Sequence, residues 1–184
     1  MGGNSQDADF SKQAATISID RRVGPRITLG AMVGLTTTGS LGAYGQSFDV
    51  SPGPLFTGAF SYRALDEGDA TPFVLLTASL GVSLVWTRPS NDSGAPKDAM
   101  TAFDGRIGVA ARKTIAHIVT PYALARAFGL PILWSYQGTS VAGTDVHHYQ
   151  LGAGVVVRVG AFDALVEGVP LGEQAIVGGL GYAF

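Results

Sequence analysis

The 184-residue chain has no cysteine, which excludes a fold held by disulfides and fits an exported protein that folds without them. Charge is scarce as well. Only 14% of residues are Asp, Glu, Lys or Arg, against roughly 25% in an ordinary soluble domain, so something other than a solvated surface is expected to face much of the chain. The formal net charge of −2 argues against a nucleic-acid partner. Long apolar runs are missing too: the best stretch, Phe73 to Trp86, falls short of the roughly 18 residues a transmembrane helix needs and is interrupted by Thr77, Ser79 and Ser83. The N-terminus shows no basic region followed by an apolar run, so any signal peptide is expected to have been removed.

What is present is glycine, 26 residues of it, and a 46% share of hydrophobic side chains arranged with a period of two. A chain that crosses a bilayer must satisfy every backbone donor and acceptor internally; with helices set aside, a closed β-barrel is what remains. The length suits one domain. The expected organisation is a polar N-terminal tail over residues 1–22, where Asp7, Asp9, Lys12, Asp20, Arg21 and Arg22 fall, followed by an all-β, eight-stranded antiparallel transmembrane barrel over residues 23–184.

The first expected strand runs from Arg26 to Thr37, with Ile27, Leu29, Ala31, Val33 and Leu35 on one face. After a loop from Gly39 to Pro54, the second spans Leu55 to Arg63 and ends in the acidic turn Asp66-Glu67-Gly68-Asp69. The third, Pro72 to Thr87, sets Val74, Leu76, Ala78, Leu80, Val82, Leu84 and Trp86 against Thr77, Ser79, Gly81, Ser83 and Thr87, the cleanest apolar stripe in the chain. A loop from Arg88 to Ala99 precedes the fourth strand, which ends at Arg112. The fifth, Val119 to Tyr136, contains Pro121 and Pro131, and an irregular rim is expected at Gly129 to Pro131. Beyond a loop from Gly138 to Asp145, the last three strands are centred on residues 148–158, 162–167 and 175–184. Strands of roughly ten residues suffice to cross a bilayer when tilted, and an even count returns both termini to one side.

The alternation sorts charge onto one face. It predicts an interior polar network of Arg26, Arg63, Asp104, Arg106, Arg112, Arg126, Arg158, Asp163 and Glu167, with guanidinium forks answering carboxylates. An arginine facing lipid costs roughly 2 to 4 kcal/mol at the bilayer midplane, so this segregation carries energetic weight. The competing reading is a soluble barrel or sandwich, but arginines are hard to reconcile with the apolar interior of a small soluble domain. Inner-phase glycines such as Gly30, Gly81, Gly108 and Gly154 leave room beside the long side chains. Trp86, Trp134, Tyr136, Tyr149, Tyr182 and Phe184 are expected near strand ends, at headgroup level.

The segment Leu180-Gly181-Tyr182-Ala183-Phe184 resembles the C-terminal strand of outer-membrane β-barrels, with alternating hydrophobic residues closing on a terminal Phe. Over residues 26 to 184 the chain resembles the small eight-stranded barrels with an OmpA-like transmembrane domain. The resemblance implies a bacterial outer-membrane location with both termini periplasmic, contact with lipid and lipopolysaccharide, and Leu180, Tyr182 and Phe184 as the signal read by the assembly machinery.

Other chemistry is weakly marked. His147 and His148 adjoin Asp145, but adjacent strand residues point to opposite faces and cannot share an ion. His117 lies near Thr114 and Thr120 without a recognisable nucleophile and base pattern, which speaks against an enzyme, including a lipid-modifying one. Gly178-Gly179-Leu180-Gly181 lies inside a strand and lacks the lysine and helix of a phosphate-binding loop, so no cofactor is expected. The expected protein is a monomeric structural or interaction-type barrel with a largely occluded polar interior; a small-solute or anion channel is the alternative.

Overall fold

The computed structural model describes residues 8–145 and 147–183, and these form an all-β structure without a helix. Twelve strands follow in order: β1 (Asp9–Arg22), β2 (Ile27–Ala43), β3 (Gln46–Ser51), β4 (Gly53–Leu65), β5 (Phe73–Pro89), β6 (Asp98–Arg112), β7 (Val119–Phe128), β8 (Ile132–Tyr136), β9 (Thr139–Gly143), β10 (Tyr149–Val159), β11 (Phe162–Leu171) and β12 (Ala175–Tyr182). They make one barrel-like antiparallel sheet. β3 and β4 share a lane between β2 and β5; β7 continues into β8, and β9 into β10. The twelve strands therefore occupy nine lanes, from β1 at one edge to β12 at the other.

The eight-stranded expectation is thus corrected. The added lane is β1, which pairs with β2 from Asp9 to Arg22 inside the segment expected to be a polar tail; residues 1–7 lie outside the described residues. Its middle does alternate, with Ala15, Ile17 and Ile19 facing one way and Thr16, Ser18 and Asp20 the other, but charged flanks obscure the pattern. Two expected loops also contain strands. β3 sets Phe48 and Val50 against Asp49, and β8 and β9 form a hairpin across Gln137-Gly138. That turn and Tyr44-Gly45 both have two residues of positive φ, the I′ geometry that matches strand twist. The break expected at Gly129 to Pro131 separates β7 from β8.

Lane direction alternates, so the turns fall into two sets. Turns 44–45, 90–97, 137–138 and 172–174 lie at one end, here the upper; turns 23–26, 66–72, 113–118 and 160–161 lie at the lower. Asp9 pairs beside the upper end and Tyr182 beside the lower. An odd number of lanes puts these two residues at opposite ends, and the even-count expectation of both ends on one side does not describe them.

An irregularity in β2 divides the sheet into two storeys. Thr38 pairs with Gln13 and Thr36 with Ala14, which leaves Thr37 as the extra residue. One extra residue reverses the alternation. Below it, Gly30, Gly34 and Thr36 face inward while Leu29, Val33 and Leu35 are exposed; above it, Leu41 and Ala43 are buried. The upper storey has a conventional apolar core of Leu41, Ala43, Phe48, Val50, Val85, Met100 and Trp134.

Candidate functional site

In the lower storey the usual order of a globular protein is reversed. The outward face carries Leu80 at 70% exposure, Ile107 at 66% and Leu180 at 91%, while Glu167 is buried inside at 6%. Strand geometry produces this, because successive side chains point to opposite faces and the lanes place most of their apolar residues on one side, while a smaller set that includes Phe73, Leu124 and Phe128 is buried on the other.

The residues of the expected interior network fall into three groups. In the first, β11 holds Glu167 beneath β7: Arg126 Nη1 donates to Glu167 Oε1 at 3.1 Å, and the Tyr122 hydroxyl donates to Oε2 at 2.8 Å. Gly154 makes room for this triad, since a Cβ there would fall 2.5 Å from the Tyr122 hydroxyl. The second group lies higher and centres on Arg106. Its Nε donates to Asp104 at 2.7 Å, its Nη1 to Gln150 Oε1 at 3.2 Å and its Nη2 to Glu173 at 3.1 Å. Gln150 is almost fully buried and donates in turn to Glu173 at 2.8 Å. The Arg106 guanidinium also lies 5.6 Å from the centre of the Phe128 ring.

The third group lines the lower rim. Arg158 makes a two-pronged pair with Asp163, both bonds 2.7 Å long, and Arg63 reaches Asp66 at 3.0 Å. Arg112 stands 4.1 Å from the centre of the Phe73 ring, with Arg63 at 5.4 Å from the same ring. Among the described residues Arg112 has no carboxylate within ion-pair distance. Arg26 is exposed at the foot of β2 beside Tyr62, next to the Arg63–Asp66 pair of the third group: its carbonyl accepts from the Arg63 N–H at 2.8 Å, but it makes no ion pair among the described residues.

Below this rim, Glu67 ties two turns together. Its carboxylate accepts from the Thr114 backbone N–H at 2.8 Å and the Thr114 hydroxyl at 3.1 Å, with Lys113 Nζ at 3.8 Å. The Thr114 N–H chiefly holds the carboxyl below its usual range, with the Thr114 hydroxyl and Lys113 adding and desolvation opposing. Thr114, weighed above as part of a catalytic pattern with His117 and Thr120, is engaged in this tie.

Four hydrogen-bonding participants of these groups were not marked as site residues from the sequence, among them Asp66 of the acidic turn. Gln150 sits on the inner phase but carries no charge to single it out. Tyr122 lies in the poorly alternating fifth segment. Glu173 is in a turn, where alternation gives no direction. The aromatic expectation also needs correction at Trp134: it is buried and donates through Nε1 to Thr87 Oγ1 at 2.8 Å, and the Tyr136 ring packs beside it at a tilt, ring centres 4.7 Å apart. Tyr149 and Tyr182 are exposed, at 57% and 61%, and Tyr182 packs against Phe162 at 5.1 Å. Of the C-terminal residues singled out above, Leu180 and Tyr182 lie on β12, and Phe184 lies outside the described residues. His148 Nδ1 is 3.3 Å from the Phe128 carbonyl, and the His147 ring lies 6.3 Å from that of Tyr149, inclined to it. Comparison of the chain with protein-family models and with curated proteins found no match.

Proposed function

We propose that this protein is a β-barrel of the bacterial outer membrane with a structural or interaction role, its interior filled by paired side chains. The observation that carries the reading is the reversed order of the lower storey, with apolar side chains exposed around the sheet and the Arg126–Glu167–Tyr122 triad inside. In water this order would leave a broad apolar face unsatisfied; in lipid it is the favourable one. The partners in this reading are outer-membrane lipid and lipopolysaccharide around the wall, and the assembly machinery that reads the last strand. The lower end, with turn 66–72 and Tyr182, faces the periplasm, and the upper end with its apolar core faces outward; Asp9 then lies on the outer side.

The test uses the two tryptophans of the chain. With both replaced by Phe, a single Leu80→Trp reporter is expected to be strongly quenched by brominated acyl chains in vesicles, whereas native Trp134 kept alone is spared. Equal quenching of both, or of neither, sinks the lipid-embedded reading. A conducting barrel is the second reading, favoured by Arg112, which makes no ion pair among the described residues and whose guanidinium lies over the Phe73 ring.

A further inference from the structure

The two edges of the sheet run in the same direction, so they cannot meet with the antiparallel pairing that joins every other pair of lanes. Every neighbouring pair of lanes is antiparallel, so with nine lanes the first and last run the same way: β1 and β12 both descend from the upper end to the lower. Among the described strands, β1 pairs with β2 alone and β12 with β11 alone. Each presents a second row of backbone donors and acceptors along Asp9–Arg22 and along Ala175 to Gly181. In a bilayer such rows are costly, and in water they invite further pairing.

Both edge strands keep the inside-out order of the wall. Ile17 and Ile19 lie on the outward face beside Val33 and Ala31, and Thr16, Ser18 and Asp20 lie on the inward one. On β12, Ile176 and Leu180 point outward, while Val177 faces inward opposite Glu167. There is space beside both: Ile17 is 78% exposed, Ile176 is 90% exposed, and a Cβ at Gly179 would meet nothing within 4 Å. Asp20 lies over Gly30 on the inner side and makes no hydrogen bond or ion pair among the described residues.

We infer that the gap between β1 and β12 is a docking site for one extended strand of another polypeptide. The strand ascends from the lower to the upper end, antiparallel to both edges, and places a basic side chain inward against Asp20. Direction selects the antiparallel partner, because an ascending strand continues the pairing of every other lane on both sides and brings the wall to an even count. Eight residues match β12 and fourteen match β1, which bounds its length. Apolar residues at alternate positions face outward with Ile17 and Leu180; small or polar ones face inward. The affinity comes from main-chain hydrogen bonds on two sides, and the specificity from the alternation and the Asp20 charge. The inference rests on strand order and holds whether the surrounding medium is lipid or detergent.

The experiment uses the full chain in detergent micelles and, as probe, a synthetic twelve-residue peptide alternating Leu with Thr and carrying one Arg near its N-terminus. A scrambled peptide of the same composition is the control. Amide hydrogen exchange is expected to slow at least tenfold on both β1 and β12, at one peptide per chain by native mass spectrometry, and Asp20→Asn is expected to weaken binding several-fold. Slowing on one edge only, or equal slowing by the scrambled peptide, overturns the inference. So does protection of both edges without peptide, at monomer mass if β1 and β12 pair directly and at dimer mass if a second copy fills the gap. Should the free peptide self-associate, the same sequence fused ahead of Asp9 through a short turn enters in the required direction. Unchanged exchange on β12 in that variant also overturns the inference. Lipid quenching at Leu80→Trp is read separately, so failure here and failure of the membrane reading are distinguishable.

Discussion

Arg126 on β7 and Glu167 on β11, 41 residues apart in sequence, meet at 3.1 Å on the inner face, and the Glu167 side chain, which also accepts from Tyr122, is only 8% exposed. Arg106 meets Asp104 and Glu173 in a wetter setting, where those carboxylates are 44% and 41% exposed. Removing one partner of a buried pair strands the other charge, whereas exposed carboxylates recover hydration. Arg126→Leu is therefore expected to cost about 3 to 5 kcal/mol and Arg106→Leu about 1 kcal/mol, measured by denaturant unfolding in vesicles. A larger loss for Arg106→Leu would show that the Glu167 triad is not the anchor of the interior.

Thr36 is fully buried at the storey boundary, and its hydroxyl has no hydrogen-bond partner among the described residues. Thr36→Val keeps the shape and removes an unmet polar group, so a stabilisation of about 1 to 2 kcal/mol is expected. A loss of stability in the same unfolding assay would mean that the hydroxyl finds a partner, such as a bound water.

The Glu67 tie gives a pH dependence with a definite sign. Its folded pKa is depressed, so the contribution is present above the unfolded pKa and disappears as pH falls through the folded value. The window lies at and below the ordinary glutamate range. Exchange protection of the Thr114 N–H is expected to be constant near neutrality and to fall on acidification, and Glu67→Gln is expected to flatten that profile. An unchanged profile in the variant would assign the acid sensitivity to another group.

Above the Glu167 triad, Phe48 is fully buried against Trp134, ring centres 5.1 Å apart and edge to face. Phe48→Ala is expected to cost about 3 to 5 kcal/mol by opening a cavity in the upper core. With the upper core and the interior pairs intact, the native protein is expected to show no sustained conductance in planar bilayers. Reproducible single-channel steps whose anion selectivity changes on Arg112→Ala would favour the conducting barrel.

Asn91 and Asp66 lie in turns at opposite ends of the sheet. In intact cells, cysteine substituted at Asn91 is expected to react with an impermeant maleimide, and cysteine at Asp66 to react only after the outer membrane is opened. The reverse labelling would invert the assigned orientation.

Alternation alone determined which face of β5 is apolar and which carries Thr77, Ser79 and Gly81, because a strand's period of two converts sequence parity into a side of the sheet. The same reading gave the break at Gly129 to Pro131. Parity breaks down wherever one residue is added. Thr37 reverses it in β2, so Leu41 and Ala43 enter a core instead of joining the outward stripe of Leu29 and Val33, and only the pairing with β1 reveals the extra residue. Tertiary structure also decided the partners. Arg106 faces inward by parity, yet parity cannot place Glu173, a turn residue, or choose Glu167 for Arg126 across three lanes. The lane count was equally non-local: residues 14–20 alternate in sequence, but they become a wall strand only by hydrogen-bonding to β2, and that single addition changes the parity of the whole sheet.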